Sequence, residues 1–374
     1  MRPVPGELPP WLDGGAHHDA NVVPETQGRR RWWPRWARGR NAGAVGAVVA
    51  AATLGLLLLL VPRGHHGALP HPAADALPAA GHPPAAWPGP LPYPVLIADQ
   101  GHHRLLEVTP DRRVLWQYQA AAGGAPVPAG SVSFSPDGRF VVATDDRLSL
   151  IERIDYQARS VTWRFGGAGV LNAPTRAHLL ADGDTIVADD RNCRELTIDG
   201  TGKVVATWGS KQTGYCLTDT AAGRFGYPAG DEPQSNGDTL MAFGSGDRIA
   251  LLSPTGSVLW DVASPNLYGG YVAAAAMGPD GQVLVTGRGN PGAVVLFDPA
   301  TGRVAWQYHV ASGAGALADP TQAGVLPGGD VLVADTGNNR VIVIDPHTDA
   351  IVWSYTDLLA PTGVALDTWR GTPG

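Results

Sequence analysis

Charge is scarce in this chain. Only 16% of its 374 residues are charged while 44% are hydrophobic, which excludes a fibre and a fully disordered chain and leaves apolar material for one or two large cores. Cysteine is rarer still, with two residues, Cys193 and Cys216, that are not neighbours. The short signatures of catalysis are missing too: there is no H-E-x-x-H, no glycine-rich phosphate-cradling loop, and no Ser or Cys nucleophile in a convincing local setting. Basic residues are short where a nucleic acid would need them. Residues 1–41 hold seven Arg against four acids, a net +3, so the remainder carries −10 of the total −7, which argues against a phosphate-backbone partner.

Glycine and proline are abundant, at 49 and 33, and most fall between short apolar runs, where they supply turn dihedrals that other residues reach only with strain. That pattern favours many strands over few helices.

One long apolar run stands apart. "AGAVGAVVAAATLGLLLLLV", residues 42–61, is 20 residues without a charge, and at about 1.5 Å per residue it matches the roughly 30 Å of a bilayer's hydrocarbon core. It reads as a transmembrane helix. Before it, "RRRWWPRWARGR" packs Arg29, Arg30, Arg31, Arg35, Arg38 and Arg40 with three tryptophans, whereas the other flank offers only Arg63 before the first acid at Asp75. This asymmetry predicts a cytoplasmic basic segment over 1–41 and an extracytoplasmic remainder. A cleaved signal peptide competes, but the pre-segment is long and no small-x-small site follows directly. Residues 62–92 then turn Pro-, Ala- and His-rich without periodicity and read as a semi-rigid linker, in which His65, His66, His71 and His82 have no fixed geometry for a metal.

From Val95 a unit recurs. Its last landmark is a tryptophan, at 116, 163, 208, 260, 306 and 353, with spacings of 47, 45, 52, 46 and 47. A period of 40–50 residues marks an array of small units that cannot each bury both faces of a sheet. Within the sixth unit, "DPTQAGVLPGGD", "VLVADTGNNR", "VIVIDPHTDA" and "IVWSY" read as four strands, and turns such as "SPDGR", "LADGD", "SNGDT" and "GPDGQ" place Gly where a hairpin needs positive φ. Four-stranded antiparallel units around an axis make a β-propeller, here an all-β, six-bladed one over 93–368. The first unit lacks an inner strand and the chain closes with a surplus one, "APTGVALD" at 360–367, so the two should complete one blade, leaving 369–374 as a tail. Each tryptophan closes an outermost strand, so its ring should wedge between sheets as structure.

The wording of the repeats resembles two propeller families. "VADTGNNRVIVID" and "IADQGHHRLLEV" are similar to NHL-type repeats, and "DPATGRVAWQY" with "DPHTDAIVWSY" resembles the tryptophan motif of pyrroloquinoline-quinone (PQQ)-binding-like repeats. For the large quinone-dependent alcohol oxidisers that resemblance implies eight blades and a vicinal Cys pair, which this chain lacks. No cofactor is therefore expected; PQQ or a divalent cation stands as the alternative.

Candidate site residues lie on the face formed by second-to-third-strand turns and blade crossings. From the turns come His102 and His103; Asp189 and Arg191; Arg288; and Arg340. A structural reading competes, because Asp and Asn after a strand commonly bond their own turn's amides. Arg176 and His178 in unit three, and Asp231 and Glu232 in unit four, break the repeat on inner strands. They read either as an ion pair between blades or as groups converging on a polar ligand in the channel. Cys193 and Cys216 both belong to unit three and suit a disulfide in an extracytoplasmic compartment, with two buried thiols as the alternative. The function expected is a membrane-anchored binding or scaffold module for a protein or small polar ligand. An extracytoplasmic lyase, hydrolase or quinone-dependent oxidoreductase with its site at the channel mouth is the rival.

Overall fold

A computed structural model describes residues 87–119, 129–210 and 215–368. The expectations for 1–41, for 42–61, for most of 62–92 and for 369–374 lie outside them. Among the described residues no helix is long and apolar enough to cross a membrane.

The chain forms six four-stranded antiparallel sheets. Blade I holds β1 (Val95–Asp99), β2 (Arg104–Val108) and β3 (Val114–Gln119); blade II holds β4 (Ser131–Phe134), β5 (Phe140–Asp145), β6 (Leu150–Asp155) and β7 (Ser160–Gly166). Blade III holds β8 (Pro174–Leu179), β9 (Thr185–Asp189), β10 (Arg194–Ile198) and β11 (Val204–Gly209); blade IV holds β12 (Pro228–Pro233), β13 (Thr239–Phe243), β14 (Arg248–Leu252) and β15 (Val258–Ala263). Blade V holds β16 (Tyr271–Met277), β17 (Val283–Arg288), β18 (Ala293–Phe297) and β19 (Val304–Tyr308); blade VI holds β20 (Gln322–Val325), β21 (Val331–Asp335), β22 (Arg340–Asp345) and β23 (Ala350–Tyr355). The last strand, β24 (Pro361–Leu366), returns to blade I and pairs with β1, Val95 opposite Leu366 and Ile97 opposite Val364. The expected closure is therefore the one observed.

Each sheet is sandwiched between two others, so its second strand must be apolar on both faces. Accordingly β1, β9, β13 and β21 are buried along their whole length, while the outermost β7 and β11 alternate between half-buried and exposed. The core is not central. It is divided into clusters that each join two neighbouring blades, as Leu96, Leu105 and Trp116 of blade I meet Val132, Val141 and Ile154 of blade II. Hairpin glycines expected from "LADGD" and "SNGDT" do adopt positive φ, 94° at Gly183 and 89° at Gly237.

The six inner strands β4, β8, β12, β16, β20 and β24 touch in a closed ring around the axis. Side chains lace it from blade to blade. Ser133 Oγ donates to the Ala177 carbonyl (2.8 Å), Thr175 Oγ1 to the Pro228 carbonyl (2.8 Å), and Thr362 Oγ1 to the Ala129 carbonyl (2.9 Å). Pro174, Pro228 and Pro361 each open an inner strand, the edge where a missing N–H breaks no ladder.

The repeated tryptophans staple neighbouring blades at the rim. Trp353 Nε1 donates to the Pro110 carbonyl across the closure (2.7 Å), and Trp306 Nε1 to Asp349 Oδ1 (2.9 Å). Trp208 occupies the space a side chain at Gly256 would need. Only Trp116 and Trp353 are fully buried; the other four keep part of the ring in solvent, because a wedge at the rim is reached by water from outside.

Candidate functional site

The crossings and the second-to-third-strand turns share one face, the loop face; the remaining hairpins form the turn face. On the loop face, blades I, III and VI repeat one device. Asp99 Oδ2 accepts from Arg104 Nε (2.7 Å) and from His102 Nδ1 (2.8 Å), while Oδ1 accepts from the Leu359 amide (2.8 Å). Asp189 takes Arg194 Nε (2.7 Å), Asn192 Nδ2 (2.9 Å) and the Asn172 amide (2.7 Å). Asp335 takes Arg340 Nε (2.6 Å), Asn338 Nδ2 (2.9 Å) and the Ala318 amide (2.8 Å). All three aspartates are wholly buried. Each binds its own turn to the crossing from the preceding blade, and charge-assisted bonds of this kind offset the cost of burying the carboxylate.

His102, Asp189 and Arg340 are therefore engaged in holding the ring. His103, like Cys193 and Asn339, sits in the left-handed conformation that ends a short 3-10 turn, with its ring exposed. Arg288 makes a two-pronged bond to Asp319 of the next crossing, at 2.6 and 2.7 Å. Arg191 projects into solvent. Next to it Asp190, which the sequence places in the same turn of that face, is pushed up to about 7 by burial. Cys193 and Cys216 are joined in a disulfide, Cα atoms 5.4 Å apart, which ties this turn to the crossing between blades III and IV.

The inner-strand residues do converge, at the interface of blades III and IV. Arg176 is 8% exposed and Asp231 1%. The ion pair read from the sequence is not formed: Arg176 feels Asp231 and Glu232 electrostatically without contacting either carboxylate. Asp231 faces Glu195 of β10 instead. All four carboxyl oxygens are closed off from solvent and receive no hydrogen bond from any other group among the described residues, and the two carboxyls are close enough to shift one another's titration. Two bare carboxylates in contact would repel, so the pair holds a proton. Burial, then the Asp231 charge, drives Glu195 well above the usual range, and burial takes Asp231 to about 7 against the pull of Arg176. Glu232 bonds the Met277 amide of β16 through Oε2 (2.8 Å).

His178 is half-buried, and burial together with the Arg176 charge depresses it to about 3. It is thus neutral, and since its Nε2 lies 3.0 Å from the Asp231 carbonyl, that nitrogen carries the hydrogen and Nδ1 is left as an acceptor. Glu195 was not among the expected residues. Its signal was its place: in "RELTI", a third strand with both faces covered, an acid has to be buried. Among the described residues no three His, Cys, Asp or Glu side chains gather as a metal site.

The loop face also carries exposed apolar side chains, Leu148, Val170, Tyr215, Leu217, Tyr268, Tyr271 and Leu359. The other exposed large apolar residues described lie on outermost strands, where Val114, Val204, Val258 and Val304 directly follow a turn-face hairpin, and none lies within such a hairpin. The turn face is instead where the chain enters and leaves the propeller, the Asp367 amide donating to the Pro94 carbonyl at 2.9 Å.

Fold and repeat together define a six-bladed β-propeller. Residues 245–368, roughly a third of the chain, match the PQQ-type repeat model described as outer membrane protein assembly factor BamB, so the stretch from blade IV to the closing strand is similar to PQQ-type β-propeller repeats. A stretch of 53 residues is 43% identical to the PE-PGRS family protein PE_PGRS18 of Mycobacterium tuberculosis, covering 14% of this chain and 12% of that protein. Among solved structures, a protein of unknown function from Bacteroides caccae superposes with a TM-score of 0.54 at 16% identity, over 73% of this chain and 97% of that one. Hydrazine synthase of Kuenenia stuttgartiensis does so at 0.52 and 15% identity, over 78% and 91%. At these identities the likeness is one of fold alone.

Proposed function

We propose that this protein is a single-pass, membrane-anchored propeller that works outside the cytoplasm as a binding or scaffold module, with the loop face as its protein-binding surface. The observation that carries the reading is the uneven distribution of exposed apolar residues in the loops: six described in the crossings and turns of the loop face, with Tyr271 at the adjoining start of β16, and none within the hairpins of the turn face, where the two ends of the propeller meet. Exposed apolar side chains gathered on one face among polar ones are what partner surfaces present. The anchor rests on the uncharged run 42–61 and its six-to-one flanking Arg asymmetry.

Two experiments test it. A photo-crosslinking residue at Leu148 or Tyr215 of the full chain should capture a discrete protein partner, and one at Thr255 on the turn face should not; equal capture from both faces overturns the surface. A reporter fused after Gly374 should be active only outside the cytoplasm, and cytoplasmic activity overturns the topology. The catalytic reading, an enzyme at the channel mouth, has one observation in its favour, the Asp190 carboxyl at about 7. Its substrate would have to sit at the same face.

A further inference from the structure

Arg176 is a buried cation that the fold leaves unanswered. A guanidinium does not give up its proton in a protein, so burial leaves five N–H donors to be met. Among the described residues nothing meets them: Arg176 donates no hydrogen bond and forms no ion pair, although it is only 8% exposed. Asp231 and Glu232 offset its charge from a distance, which lowers the cost of burial without satisfying a single donor. The Arg176 nitrogens nonetheless keep contact with solvent, unlike Arg153 Nε, which is sealed. Arg176 stands mid-strand on β8, one of the six inner strands that ring the axis, so the solvent within its reach is that of the ring's centre. Gly230 of β12 lies against the guanidinium with no side chain to cover it; a Cβ there would stand 3.6 Å from the guanidinium carbon.

We infer that Arg176 is an anion site in the central channel and that its ligand is a small 2-hydroxy monocarboxylate. The planar fork of Arg matches a carboxylate with two parallel bonds. A phosphate dianion would fit the same fork, but it would meet the negative charge of Glu232 and of the Asp231–Glu195 pair with twice the repulsion, so the site selects a single negative charge. His178 supplies the hydroxyl preference. It stands two residues along the same strand and so on the same face as Arg176, with its Nε2–H spent on the Asp231 carbonyl and Nδ1 free to accept a ligand O–H. This site is independent of any partner on the loop face.

The test is calorimetric titration of the full-length chain in detergent with glycolate, acetate and inorganic phosphate. Glycolate should bind, acetate more weakly and phosphate most weakly. Arg176→Gln should lower glycolate affinity about tenfold or more, corresponding to the loss of one charge-assisted pair. Glu232→Gln, which keeps an oxygen for the Met277 amide, should raise it by about threefold through removal of a repelling charge. His178→Phe should erase the preference for glycolate over acetate. Absence of glycolate binding to the native chain, unchanged binding to Arg176→Gln, or tighter binding of phosphate than of glycolate would each overturn the inference. If Arg176→Gln fails to fold, Glu232→Gln and the order of the three anions on the native chain decide it.

Discussion

Trp116 of blade I stacks on Tyr156 of blade II, ring centroids 5.0 Å apart and planes 11° from parallel, and its Nε1 donates to the Tyr156 carbonyl at 2.7 Å. One side chain thus joins two sheets by packing and by a buried hydrogen bond at once. Trp116→Ala should cost about 3–5 kcal/mol in chemical denaturation, the range for deleting a buried aromatic. Trp306→Ala removes a half-buried ring and should cost clearly less, about 1–2 kcal/mol. Equal midpoints for the two variants would show that burial at the rim is not what the tryptophans contribute.

Removal of β24 should abolish cooperative unfolding. A chain ending at Ala360 leaves the β1 edge unpaired and strips Val364 from the cluster shared by blades VI and I. Circular dichroism on heating should show a broad, early loss of signal, with aggregation on gel filtration. A sharp transition at the full-length temperature would mean that five complete blades hold the ring without closure.

Reduction of Cys193–Cys216 should loosen the crossing between blades III and IV and leave the propeller folded. With a sequence separation of 23, the bond should contribute about 3 kcal/mol in the chain-entropy model. Thermal melts with and without reductant measure this, and thiol labelling of the native unreduced protein at both positions would contradict the bond.

Stability should fall as pH rises from about 4 to about 7, most steeply above about 6.5. Asp231 and Asp190 are raised from an ordinary 3.8 to about 7 in the fold, so the native state holds protons there that the unfolded chain has already released. Their contribution is present at low pH and lost through the folded value. His178, lowered from 6.5 to about 3, acts oppositely below 6.5, where the unfolded chain takes up the proton, and is silent above it. Asp231→Asn should therefore flatten the slope seen in melts across this window. An unchanged slope in that variant would remove the III–IV acid pair as its source.

The repeat spacing, the hairpin glycines and the surplus C-terminal strand determined the six blades and their closure without any coordinates, because each is a local signal copied six times. The Asp of "IADQGHHR" and "VADTGNNR" was legible as a structural residue, but its partners were not: it takes an amide of the preceding crossing and an Arg of the next strand instead of its own turn's amides. What the sequence could not decide was which of the non-repeating residues meet. Glu195 and Asp231 are 36 residues apart in the chain and belong to different blades, so their contact exists only once two sheets are packed face to face. That packing gave Asp231 a carboxyl partner in place of Arg176, and it left the arginine open to the channel. Charge complementarity read along a chain favours opposite signs; burial inside an interface set the protonation instead, because desolvation there outweighs the attraction of a cation that stands close without touching.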